Sequence, residues 1–382
     1  MKWISLGFIL FMTLDSVAAE SGASLQNRKP ATQMPELSTE TTLLPKPSPL
    51  PSPTPSSTPT VDIHGIFWGQ YTYEGTENSV HHEGFDVTRA FLQFNYNLDP
   101  TWSSTILLDG QRGETISVKG GTGTTVNGGV TKANLWGYVR NAFIQAASLC
   151  DGNGTFRFGL QPTLYVGLID STNKTRWLGK SLLDQATLVP TQDAGASFTG
   201  NITSNFKYGL MVHDGIEGIN RPGNQDSGLS ASFIATFYPV KGFGMTLYQE
   251  YQGNGKSAPG VINVNGFRMT TFATTVETSF INATAEFTTQ QDYTLSTPSN
   301  GAGVMADIRP IGPKSSMYLR YFSGNTQFQT QKLLGKSVIT VGPTFSFVPG
   351  RVSTALLYEA RPQTIAGTPT VTAVMWNWAI NF

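Results

Sequence analysis

Along much of this chain, charged and amide side chains alternate with apolar ones, a spacing that suits the sorting of solutes better than the making of bonds. FRFGLQPT (156–163) sets Arg157 and Gln161 between Phe156, Phe158 and Leu160, and DVTRAFLQFNYN (86–97) sets Arg89 against Ala90, Leu92, Phe94 and Tyr96. In a β-strand such sets fall on opposite faces, one polar and one apolar. The same logic turns Asp109, Lys207, Glu286, Asp307, Arg309, Arg320, Arg351 and Glu359 toward water, because a charge facing lipid at mid-bilayer costs about 2–4 kcal/mol. Opposed charges around a water-filled passage select by size and charge without catalysis.

The chain offers little for catalysis. Its four histidines, His64, His81, His82 and His213, stand at no nucleophile or zinc spacing. We therefore expect no enzyme, no catalytic or metal-binding residues and no cofactor. His81-His82-Glu83 reads as part of a solvated first loop, and the single cysteine, Cys150, cannot form an internal disulfide. Lys and Arg balance Asp and Glu at 25 each, so no basic excess points to nucleic acid.

The elements that must position these residues are most legible at the end of the chain. In VTAVMWNWAINF (371–382), Val374, Trp376, Trp378, Ile380 and Phe382 point one way and Ala373, Met375, Asn377, Ala379 and Asn381 the other. This is the dyad pattern of a membrane-spanning strand, with lipid outside and water inside. Forty glycines, many Thr, Ser and aromatic residues and only 13% charged residues suit an all-β chain. Residues 1–19 read as a cleavable secretory signal, with Lys2, an apolar run and small residues to Ala19. Residues 20–60 form a proline-rich arm, in which nine of the 22 prolines fall between Pro30 and Pro59 and which is read as an unstructured periplasmic tether. Residues 61–382 divide into about sixteen strands of a closed antiparallel transmembrane β-barrel. The links after even strands are short (Asp99-Pro100, Asp151-Gly152-Asn153, Pro349-Gly350) and those after odd strands are long and polar. Short periplasmic turns and long outer loops alternate in this way in membrane barrels. Aromatics gather beside the short turns, as expected of a headgroup-level girdle. The first, fourth and tenth strands do not alternate cleanly, which leaves His64 and Arg140 without an assigned face.

The link from Leu164 to Gln192 is the longest. It suggests a short helix over Thr175–Gln185 with Trp177, Leu178, Leu182 and Leu183 on its apolar side, and it carries Asp170, Lys174, Arg176, Lys180 and Asp184. Long loops tend to be functional. This one is expected to fold into the barrel and set its carboxylates across from wall arginines.

The texture of residues 61–382 resembles a Gram-negative outer-membrane porin of the sixteen-strand type. Val61 to Gly69, DVTRAFLQFNYNLDPTWSSTILLD (86–109), NAFIQA (141–146) and FRFGLQPT (156–163) are similar to the phosphate-selective porin O and P group. The resemblance implies passive diffusion of small hydrophilic solutes and ions, a homotrimer, and a setting of outer-membrane lipid and lipopolysaccharide. It also implies that the long loop after the fifth strand is a constriction loop. The chain departs from that group in balancing its bases with acids and in carrying the proline-rich arm. That arm supports a rival reading as an adhesin or cell-wall anchor that binds peptidoglycan.

Overall fold

The computed structural model describes residues 59–76, 79–112, 135–172, 176–186, 188–214, 229–253, 266–292, 298–309, 314–324, 337–349, 351–361 and 370–382. Within them the chain forms β1 (Thr60–Thr76), β2 (Ser79–Asn97), β3 (Trp102–Arg112), β4 (Leu135–Ser148), β5 (Gly154–Pro162), β6 (Gln192–Thr203), β7 (Phe206–His213) and β8 (Ser230–Val240). It continues through β9 (Phe243–Gln252), β10 (Phe267–Glu277), β11 (Ile281–Asp292), β12 (Ser299–Ile308), β13 (Ser315–Gly324), β14 (Ser337–Val348), β15 (Val352–Arg361) and β16 (Val371–Asn381). Each strand pairs with its sequence neighbours, and β1 pairs antiparallel with β16, so the sheet closes on itself. Closure satisfies the backbone of every strand and leaves no open edge, which a lipid environment demands.

Side-chain alternation places the two environments. In β16, Ala373, Met375 and Ala379 are buried while Val374, Trp376, Ile380 and Phe382 are exposed, as the sequence pattern predicts. Exposed Phe158, Leu210, Val212, Phe272 and Leu356 continue the apolar outer belt around the barrel. Tyr96, Trp102, Phe237, Phe280, Phe345, Phe347 and Phe382 lie exposed beside the short turns, as a girdle requires. Tyr238 departs from that set, since its ring lies 5.3 Å from the Lys207 ammonium.

The closing seam explains two glycines. A Cβ on Gly65 would come within 2.1 Å of the Phe382 ring, and one on Gly69 within 2.1 Å of the Trp378 indole. Gly69 pairs directly with Trp378, and Gly65 exchanges backbone hydrogen bonds with Phe382. The terminal aromatics therefore cover the backbone of β1, where any larger side chain would hold the strands apart.

Two expectations change. The first odd link is not a long loop, because β1 and β2 form one long hairpin separated only by residues 77–78, and His82 pairs with Glu74 and Glu83 with Tyr73 inside its ladder. Tyr71 against Phe85, with ring centroids 4.8 Å apart, carries the pairing onward. The run SVHHEG at the start of β2 carries no apolar alternation, so the period that marks the other strands is missing there. In β4 the irregular alternation is a bulge: Leu107 pairs with Asn141 and Leu108 with Val139, leaving Arg140 as the extra residue. A bulge re-aims a side chain, and here Arg140 and Asn141 are both buried.

Candidate functional site

The segment between β5 and β6 contains α1 (Leu164–Thr172) and a single turn, α2 (Leu182–Gln185). In α1, Tyr165, Val166 and Ile169 fall on one helical face and are buried. Ser181 caps α2 by accepting a hydrogen bond from the Asp184 amide at 3.4 Å. These apolar groups, with Leu182, Leu183, Leu188 and Val189, pack against Ile234, Tyr248, Met269, Met305 and Phe322, which belong to the buried face of β8–β13. Each such side chain taken from water is worth about 1.5–3 kcal/mol.

One carboxylate ties both helical pieces to the wall. Glu286 on β11 accepts the Tyr165 hydroxyl at 2.6 Å and the Leu182 amide at 2.7 Å. Asn282, four residues earlier on the same face of β11, donates to the Thr172 carbonyl at the end of α1 at 2.9 Å.

The helix expected over Thr175–Gln185 does not form as one piece. Trp177 and Leu178 pack with Tyr318, Ala355, Leu357, Ala373 and Met375, while Leu182 and Leu183 join the other cluster. Between the two pairs lies Gly179, where a Cβ would meet Arg320 Nη1 at 2.5 Å. The two apolar pairs therefore reach different walls, which a continuous helix would not allow.

The wall on β1–β4 and β13–β16 is charged. Asp109 is fully buried and accepts from Arg140 at 2.9 Å and from the Tyr138 hydroxyl at 2.9 Å, with Arg89 paired at 3.1 Å. Both guanidinium groups flank the Phe91 ring, at 5.2 and 5.3 Å from its centroid. Glu359 likewise takes two arginines, Arg320 at 2.7 Å and Arg361 at 2.6 Å, and Arg361 reaches Glu74 at 3.2 Å. On the loop the ratio is reversed: Arg176 lies between Asp170, at 3.1 Å, and Asp184, at 2.5 Å, with Lys180 3.8 Å from Asp184. Burial pushes the Asp170 carboxyl upward from its ordinary value, against the pull of Arg176.

No protein-family model matches the sequence, and no curated protein matches it. Solved structures do. An anion-selective porin from Comamonas acidovorans superposes with a TM-score of 0.59 at 11% identity, over 85% of this chain and all of that one. The outer-membrane channel DcaP of Acinetobacter baumannii gives 0.55 at 12% identity, over 86% and 99% of the two chains. Salmonella typhi OmpF, solved with daunomycin, gives 0.56 at 13%, over 84% and 97%. The chain has the sixteen-strand porin fold.

In this barrel the remaining residues named from sequence fall at several places. Arg157 donates to Gln145 at 2.7 Å and stacks over Phe143, while Gln161 is buried between Ser197 and the Gly195 carbonyl. Lys207 lies near Arg157 along one cavity lined by β5–β8 and α1. Asp307 pairs with Arg309 at 2.8 Å near the short-turn end. Arg351 sits exposed in the turn between β14 and β15, and Lys174 lies outside the described residues. Sequence reasoning missed Arg140 and Arg361. It also missed the apolar inner face, for which the signal was present: Ile234, Tyr248, Met269 and Met305 occupy the inward register of strands that also turn Phe233, Leu247, Phe272 and Val304 outward.

Two cavities flank the segment Arg176–Leu178. The one toward the short turns includes Asp170, Asp307, Arg309 and Lys314. The other, toward the long loops, includes Arg89, Lys180, Arg320, Glu359 and Arg361.

Proposed function

We propose that the protein is an outer-membrane channel through which small hydrophilic solutes and ions diffuse passively, and that residues 164–192 form the inward-folded loop that narrows it. The observation that carries this reading is the pair of charged cavities on either side of Arg176–Leu178, within a closed barrel whose outer surface is apolar. Sixteen strands enclose more space than their own side chains can fill. The loop takes up one side, and Arg89, Arg176, Lys180 and Arg320 border what is left, with Asp109 and Asp184 paired behind them. Export would depend on removal of residues 1–19, with residues 20–60 as a periplasmic tether.

The test is planar-bilayer recording of detergent-purified protein under a salt gradient. Stepwise open-channel currents support a diffusion pore, and the reversal potential gives its ion preference. A folded but silent barrel would overturn the reading. Charge reversal of Arg89 or Arg157 should move permeation toward cations, and an unchanged reversal potential would remove that residue from the narrow part of the channel.

A further inference from the structure

We propose that the cavity on the long-loop side of Arg176–Leu178 is a binding site for organic anions that carry an aromatic body, which extends the channel reading above by naming the class of solute held there. The cavity measures about 470 Å³, within the roughly 300–1,000 Å³ typical of small-molecule sites. Five cationic side chains, Arg89, Arg176, Lys180, Arg320 and Arg361, line it together with one carboxylate, Glu359. The other acids of the network stay back from the lining: Asp109 is fully buried behind Arg89 and Arg140, and Asp184 is buried behind Arg176 and Lys180. The cavity on the other side of the segment sets Asp170 and Asp307 against Arg176, Arg309 and Lys314, so the larger excess of positive side chains lies on the long-loop side.

The apolar part of the same lining settles the rest of the ligand. Trp68 and Trp177 border the cavity beside Leu178, Val338 and Met375, so indole faces and guanidinium groups meet one space. A small hydrated anion would gain nothing from the indoles. An aromatic carboxylate would gain from both, stacking its ring on tryptophan and placing its oxygens on arginine or lysine. An aromatic cation would meet the same rings under the wrong field.

Calorimetry on the detergent-folded full chain tests this with three probes: benzoate, acetate and benzylammonium. Benzoate should bind about tenfold more tightly than acetate, the worth of one good aromatic contact, and benzylammonium should give no heat of binding. Trp177→Ala should bring benzoate down to the acetate level, whereas Lys180→Gln, a change at a half-exposed side chain, should weaken both anions together. Equal binding of benzoate and acetate, or binding of benzylammonium, would overturn the proposal. The measurement reads the site whether or not the barrel conducts. Channels that open without benzoate binding would sink this inference and leave the pore, while binding to a silent barrel would do the reverse.

Discussion

Along β8–β12 the inner wall buries Tyr248, Met269 and Met305 beneath α1 and α2, whereas Arg89, Arg320 and Arg361 on β2, β13 and β15 line a cavity. Both halves obey the same strand period and the same outward apolar belt, so period alone does not say what an inward residue faces. The difference lies in what covers it. An apolar inner wall exposed to water would be costly over so many side chains, so the loop and that wall stabilise each other. Among the described residues the charged half is covered by Trp177 and Leu178 alone, and there Asp109 and Glu359 each hold two guanidinium groups.

The comparison breaks most completely at Glu286. Glu286→Ala removes the acceptor shared by the Tyr165 hydroxyl and the Leu182 amide, and each orphaned buried donor costs about 1–3 kcal/mol. We expect the loop to leave the wall, with single-channel conductance rising several-fold while the barrel still migrates as a folded species in unheated gels. Unchanged conductance would mean that apolar packing alone holds the loop. Leu183→Ala should be next in size. Leu183 is fully buried between the loop and the wall, and such a truncation costs about 2–5 kcal/mol. Hydrogen exchange should show faster exchange for amides of 164–186 and little change in the strands, since only the loop depends on that contact.

The sequence carried the barrel far better than its interior. Strand order, the even-link turns and the outward faces of β5 and β16 follow from alternation, because lipid on one side and a different environment on the other is the condition that alternation reports. The β1–β2 hairpin escaped it where SVHHEG carries no apolar alternation. Arg140 escaped it because a bulge adds one residue and returns the side chain to the wall beside Asp109. The loop was readable as a long charged segment, but its helix was misplaced: Trp177-Leu178 and Leu182-Leu183 look like one apolar face in sequence, and only the two walls pull them apart.

A smaller effect sharpens the charged half. Asp109→Asn would leave Arg89 and Arg140 without the carboxylate they share. A unit charge at about 4 Å is worth ~1 kcal/mol in water-like surroundings, so relative permeability should move several-fold toward anions in a salt-gradient reversal measurement. The same reading made on the Glu359→Gln variant should shift in the same direction, since Glu359 also holds two arginines. A shift toward cations in either variant would mean that these acids do not moderate the field of the passage.

The smallest expected effect is that of pH, and it acts through the loop. Asp170 has its carboxyl raised by burial, so as pH falls it takes up a proton earlier than an exposed aspartate does. Arg176 keeps its charge throughout, and the loop then passes from two carboxylates facing Arg176 and Lys180 to one. Its balance becomes one charge more positive on the acid side of that titration and loses that charge again as pH rises through it. Anion preference should therefore increase modestly on acidification from neutral pH, and Asp170→Asn should fix the acid-side preference at every pH. If the wild type and the Asp170→Asn variant show parallel pH profiles, the titrating group lies on the wall, and the two halves of the lumen differ in packing but not in how they answer to protons.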